Sequence, residues 1–195
     1  MEPLRFPGNK GTSRSRALAL IKERSFVRGR ITLASGKESD FYLDLKPSML
    51  HPEGAGLIAE LILEKLSGVE ADYVGGVAVG AIPLISPVIV QSFARGRGIA
   101  GFFVRKDVKD HGTRRKIDGL GPGEMLTGKK VVILEDVTTT GASAMIAVQA
   151  AKDAGADVAM VLSVVDRQDG AAEFFRDQGI QFESVFTASE FLTSN

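Results

Sequence analysis

The chain is predicted to be an α/β protein built on a mostly parallel sheet, and three observations in its 195 residues point there. Val131–Leu134, Tyr73–Val79 and the run opening at Val161 are apolar and rich in β-branched residues, without polar alternation. Strands of a parallel sheet covered on both faces read this way. Between two of these runs, the alanine-rich segment ASAMIAVQAAKDAG reads as a helix that begins after Gly141 and is closed by Gly155. Strand and helix signals alternate along the chain, as in an α/β domain. A chain of this length buries a substantial core without splitting, and we find no internal repeat, low-complexity tract or linker.

Taken in order, the first sixteen residues, MEPLRFPGNKGTSRSR, lack the apolar core of a secretory leader. A helix is expected over about 13–25. From Ile31 to Lys46, apolar residues flank a Ser35-Gly36 turn, which predicts a hairpin leading into an extended strand. Phe41 and Tyr42 on that strand either stack on a flat ligand ring or serve as packing. A second helix is expected over about 53–66, with His51 and Pro52 at its start. After the Tyr73–Val79 strand, Gly80 and Ala81 form a turn narrow enough for close backbone approach, or a plain strand-to-helix turn. Gln181–Phe186 is expected as an edge strand, followed by a short turn at Ser189–Leu192.

The chemistry concentrates in three places. Val131–Leu134 runs directly into Glu135 and Asp136, where the strand leaves the sheet and α/β proteins bind ligands. Thr138, Thr139, Thr140, Gly141, Ala142 and Ser143 then offer hydroxyls and backbone N–H groups at a helix start, a favourable anion site. Carboxylates repel phosphate but attract a ribose diol or a hydrated magnesium ion, so the two halves together describe a phosphorylated sugar with a metal. The structural alternative is that the acids cap the helix and the threonines make a turn. GxxxxGK[ST] is absent, which excludes a P-loop.

The second place is FFVRKDVKDHG, where an apolar strand end meets Arg105, Lys106, Lys109 and His111, followed by Thr113, Arg114, Arg115, Lys116, Ile117 and Asp118 between Gly112 and Gly119. Clustered cations suit a diphosphate leaving group and the glycines suit a lid, whereas a solvated surface loop would carry the same charge. The third is Asp166-Arg167 at the end of VLSVVDRQDG, either a surface salt bridge or a guanidinium aimed at a carboxylate.

On these residues the chain resembles the type I phosphoribosyltransferases, through VVILEDVTTTGAS, and within them the orotate phosphoribosyltransferases, through RKxxKxHG and the DR pair. The resemblance runs from the N-terminal hairpin to the DR strand, and Ile31–Lys46 is similar to the family's hood, often TLxSGxxSxxYxDxR. It implies one domain over 1–195, with a hood mainly from about 25–46 plus a C-terminal contribution, and a core over about 52–187. It implies Mg2+-dependent transfer of the phosphoribosyl group from 5-phospho-α-D-ribose 1-diphosphate (PRPP) to orotate, giving orotidine 5′-monophosphate and diphosphate in pyrimidine synthesis. Glu135 and Asp136 would hold the ribose hydroxyls, and Val137, Thr138, Thr139, Thr140, Gly141, Ala142 and Ser143 would wrap the 5-phosphate. Arg105, Lys106, Lys109 and His111 would bind diphosphate, with Lys109, His111 and Asp136 the catalytic group. Arg167 and Thr139 would contact orotate, with Phe41 and Tyr42 over the base, and the carboxylates would touch the metal through water. The resemblance also implies a homodimer whose 105–119 loop acts on the neighbouring subunit's site, and a diphosphate loop within Ala71–Pro87 whose central peptide is often cis. Ala34 departs from relatives that carry lysine before the SG turn; Lys37 is nearby in sequence.

Formal net charge is zero, so the overall field does not steer nucleic acid or an anionic membrane to the chain. The absence of cysteine excludes disulfides and thiolate catalysis and suits a cytoplasmic enzyme, and two histidines argue against a His-rich metal centre. Other readings of the same residues are a purine or uracil phosphoribosyltransferase, a ligand-sensing regulator that has lost catalysis, and a non-enzymatic interaction module.

Overall fold

Five short runs with apolar residues on both faces assemble into one parallel sheet, seen in a computed structural model that describes residues 11–32, 38–106 and 116–193. Along the chain, helix α1 (Ser13–Ser25) leads into the antiparallel strands β1 (Phe26–Thr32) and β2 (Glu38–Leu43). Helices α2 (Lys46–Met49) and α3 (Pro52–Lys65) follow, then β3 (Tyr73–Gly75), α4 (Ile82–Ala94) and β4 (Ala100–Gly101). A small antiparallel pair, β5 (Phe103–Val104) with β6 (Ile117–Asp118), precedes β7 (Lys130–Thr138), α5 (Ala142–Asp153) and β8 (Asp157–Asp166). The chain closes with α6 (Ala171–Asp177), β9 (Phe182–Thr187) and α7 (Ala188–Leu192). Sheet order is β4-β3-β7-β8-β9 with every neighbour parallel, which matches the predicted class.

Period-two alternation divides the central strands between two cores. Val132, Leu134, Leu162 and Val164 pack with Leu57, Ile58, Leu61 and Ile62 of α3 and Leu84, Ile85 and Val88 of α4. Val131, Ile133 and Val161 face Ala144, Ala147, Val148 and Ala151 of α5 and Phe175 of α6. Small residues along α5 let that helix lie close on the sheet.

Several expectations shift in detail. The predicted Tyr73–Val79 strand ends at Gly75, and the chain then crosses close to the Leu134 carbonyl, partway along β7. Gly75 and Gly76 make that crossing possible: a Cβ on Gly75 would enter the Phe102 ring, and one on Gly76 would strike the Leu134 carbonyl. These two glycines make close packing of their own, ahead of the Gly80–Ala81 turn. The strand predicted to stop at Leu134 continues through the acids to Thr138, paired with β8 down to Thr138–Asp166. The turn expected at Ser189–Leu192 is helix α7, started by a capping box in which Thr187 and Glu190 serve each other's backbone N–H groups.

The hairpin docks on the C-terminal end of the chain. Phe26 stacks on Phe41 and on Phe191, with ring centroids 5.6 and 5.9 Å apart, and Arg28 donates to the Leu192 carbonyl at 2.9 Å. Among the described residues no helix is long and apolar enough to cross a membrane.

Candidate active site

Continuing β7 past Leu134 has a direct consequence, since neighbouring strand residues point to opposite faces. Glu135 shares the α5 face of Val131 and Ile133, whereas Asp136 shares the face of Val132 and Leu134. Adjacent in sequence, the two acids thus serve different surroundings. Glu135 faces the Ser143 hydroxyl and the Ala144 N–H at the start of α5, both of which favour its charged form. Asp136 lies against the loop between β3 and α4, where a Cβ on Gly80 would come within 3.3 Å of its Oδ1.

A cavity of about 240 Å³ opens between these groups. Val77–Ala81, Glu135, Asp136 and Ser143 line it, and Lys46 and Lys106 supply its cations. The loop on its wall contains a cis peptide between Ala78 and Val79, as expected of a diphosphate loop. At one end of β7, Gly141 has φ +87° and starts α5; a side chain there would meet the ring of Phe175 at 2.8 Å. The 138–143 turn thus holds an open helix N-terminus, with Thr139, Thr140 and Ala142 exposed and the buried Thr138 hydroxyl lacking a partner among the described residues. Buried hydroxyls rarely stay unpaired.

Burial pushes the Glu135 carboxyl up to about 7 from an ordinary 4.5, helped by the charge of Asp136 and opposed by the Ser143 hydroxyl, Lys106 and the Ala144 N–H. A carboxyl whose pKa is raised in the folded state holds its proton to higher pH than in the unfolded chain. Stability is therefore intact below the unfolded value and falls as pH rises through the folded one. We predict that Glu135→Gln unfolds at a higher temperature than wild type at pH 8, by up to roughly 3 kcal/mol, the gap closing near pH 4.5. Unfolding curves at both pH values check this; an equal gap at each would remove the titration from the account.

Arg167 follows β8, tied to the phosphate turn by its N–H donating to the Thr138 carbonyl at 2.9 Å. Its side chain is 7% exposed, pairs with Asp169 at 3.4 Å and lies over the Phe41 ring, 4.3 Å from the centroid. The acid opposite this guanidinium is thus Asp169, whereas Asp166, the acid of the sequence reading, accepts from the Gln168 N–H through Oδ1 at 2.8 Å, and the guanidinium also reaches the hairpin. Phe41 is packing and a platform for Arg167 together, while Tyr42, on the opposite face of β2, is 43% exposed. Arg105 is held across the β5–β6 pair by Asp118 and donates its backbone N–H to the Lys116 carbonyl at 3.0 Å. Lys109, His111, Ala34 and Lys37 lie outside the described residues.

The structure thus brings Lys106, Glu135, Asp136 and Ser143 to one cavity, and links Phe41, Arg167 and Thr138 by direct contacts beside it. Lys46 is a cavity residue that the sequence reading did not single out. Its signal was available, because it occupies the last, basic position of the TLxSGxxSxxYxDxR pattern.

No protein-family model matches the chain. An orotate phosphoribosyltransferase of Rhodopseudomonas palustris is 52% identical over 186 residues, covering 95% of this chain and all of the relative. The crystal structure of Mycobacterium tuberculosis orotate phosphoribosyltransferase with Fe(III) dicitrate superposes with a TM-score of 0.80 at 38% identity, covering 92% of this chain and 99% of that one. The same M. tuberculosis enzyme in complex with PRPP gives 0.78 at 35% identity, over 93% and 100% of the two chains.

Proposed function

The chain belongs to the orotate phosphoribosyltransferase family, a branch of the type I phosphoribosyltransferase fold, and on that premise we propose how its residues divide the reaction. The activity is pentosyl transfer: PRPP and orotate give orotidine 5′-monophosphate and diphosphate, a step of pyrimidine biosynthesis. The observation that carries the assignment of roles is the cavity in which two acids, two lysines and the bare 77–81 loop meet beside an open helix N-terminus.

In this reading Thr139, Thr140, Gly141, Ala142 and Ser143 bind the 5-phosphate through backbone N–H groups and hydroxyls, aided by the α5 dipole. Glu135 and Asp136, approaching from opposite faces of β7, accept the ribose hydroxyls. The backbone of Val77–Ala81 receives diphosphate, and Arg105, Lys106, Lys109 and His111 neutralise it. Departure of diphosphate leaves positive charge on the ribosyl ring, so the protein's work is alignment, charge neutralisation and exclusion of water. Arg167, with Thr139 beside it and Phe41 under its guanidinium, receives the orotate carboxylate. Tyr42 belongs to the hood's contribution over the base.

Magnesium dependence is part of the proposal. Among the described residues no three His, Asp or Glu side chains gather as a metal cage. Two carboxylates on a cavity wall fit an ion held chiefly by phosphate and ribose oxygens and by water. Bound there, Mg2+ would share in neutralising the diphosphate.

The proposal also includes a homodimer. Val79, Val90 and Phe93 are 62–78% exposed along one side of α4 and its entry loop, and Leu50 beside them is 73% exposed. Such an apolar stripe marks an interaction surface, and it starts at the diphosphate loop, the part of the site toward which the family resemblance directs a second copy's 105–119 segment. Cytoplasmic location completes the reading, on the cysteine-free composition. Calorimetric titration of PRPP tests the site: binding that requires Mg2+ and collapses in Asp136→Asn is expected, and undiminished binding in that variant would remove Asp136 from it.

A further inference from the structure

Lys46 opens α2, three residues after β2 ends at Leu43, at the junction of hood and core. Asp44 holds it twice, accepting from the Lys46 backbone N–H at 3.0 Å and from Nζ at 2.9 Å. This pins the ammonium at the wall of the cavity that Val77–Ala81, Asp136 and Lys106 also line. The side chain is 54% exposed, so its pair with Asp44 contributes little stability by itself. The hydrogen bond it donates to Asp44 raises its pKa above the ordinary lysine value, burial opposes this, and the charges of Asp44, Asp136 and Tyr42 add to the rise.

The cavity's charges make the case. Four ionisable side chains line it, two acidic and two basic. The loop expected to receive diphosphate, Val77–Ala81, carries no cation of its own. Lys106 comes from the start of the charged 105–119 segment. Lys46 instead sits on a helix, oriented by a carboxylate within hydrogen-bond distance, and needs no segment to close over it. The ammonium has three donors and Asp44 takes one, so a ligand bearing several negative charges against that loop can use the others while the tether holds.

We infer that Lys46 is a fixed diphosphate-binding residue, tethered by Asp44 and presented from the hood–core junction to the cavity that the bare loop also lines. The inference rests on the phosphoribosyl reading above and adds to it a binding group for PRPP and for released diphosphate. Because Lys46 is held in place by Asp44 and its helix, it strengthens ground-state binding more than turnover.

The test uses Lys46→Met and Lys46→Arg with inorganic diphosphate as probe. Calorimetry in the presence of Mg2+ should show diphosphate affinity lowered about tenfold or more in Lys46→Met. KM for PRPP should rise in step, with kcat and the KM for orotate close to wild type, and Lys46→Arg should recover most of the binding. Unchanged diphosphate affinity in Lys46→Met overturns the assignment, as does a loss that tracks a fall in Tm and an equal rise in the KM for orotate. The two levels separate cleanly. Wild-type protein that binds diphosphate through Lys46 yet fails to consume orotate would defeat the functional reading and leave the site standing; consumption of orotate with an indifferent Lys46→Met would do the reverse.

Discussion

Lys109→Ala is expected to lower kcat by roughly two to three powers of ten, the loss that follows removal of one donor aimed at developing transition-state charge. The described site explains why so much should rest on it. Lys46 and Lys106 face two carboxylates across the cavity, and the guanidinium of Arg105 is engaged by Asp118. Fixed cations therefore roughly balance fixed acids, and a departing diphosphate needs more positive charge than remains. RKxxKxHG supplies it with Lys109 and His111. Near-normal kcat in the variant would take Lys109 out of the catalytic group. Mixing Lys109→Ala with Asp136→Asn protein extends the test to the proposed dimer, because a heterodimer then keeps one intact site if the segment acts on the neighbour. No recovery, with subunit exchange verified, would assign both residues to one subunit's site.

The second large effect is expected at Arg167. Replacement by methionine keeps much of the apolar stem but removes a planar guanidinium suited to bidentate carboxylate binding. We expect kcat/KM for orotate to fall by about a hundredfold, the order of about 3 kcal/mol lost with a desolvated charged contact. The KM for PRPP should stay within a few fold. Lysine should restore little, since the planar fork and its packing on the Phe41 ring, 4.3 Å from the centroid, are both lost. Equal losses toward both substrates would point to disturbance of the hood rather than to recognition of orotate.

How far the sequence could be read depended on whether a feature is local. Continuous apolar runs made β7 and β8 visible because both faces are covered, and an alanine-rich segment ending at Gly155 made α5 visible. The bounds of α1 also emerged, Ser13–Ser25 as expected. Helix α4 was not singled out, since Pro83 and Pro87 disguise it; only its neighbours decide that Pro87 is tolerated inside the helix. Strands β4, β5 and β6, two residues each, carry no periodic signal at all.

The site divides the same way. Glu135, Asp136 and Ser143 lie within nine consecutive residues of one strand-turn-helix unit, so their convergence follows from local geometry. That Glu135 and Asp136 face opposite sides became evident only when β7 was found to run on to Thr138. Lys46 stands about ninety residues before Asp136, and it reaches the cavity only because the hood docks on α7 and α2 follows directly. The packing of Phe41 under Arg167 is equally non-local, joining residues from opposite ends of the chain.

The most direct measurement is the loss of orotate ultraviolet absorbance with PRPP and Mg2+, beside parallel reactions given uracil, hypoxanthine or adenine. Consumption of orotate alone, abolished when PRPP is omitted, is the predicted result and assigns base recognition to the Arg167 side of the site. Consumption of a different base would contradict the pyrimidine-carboxylate account, and PRPP binding with no base consumed would contradict catalysis itself.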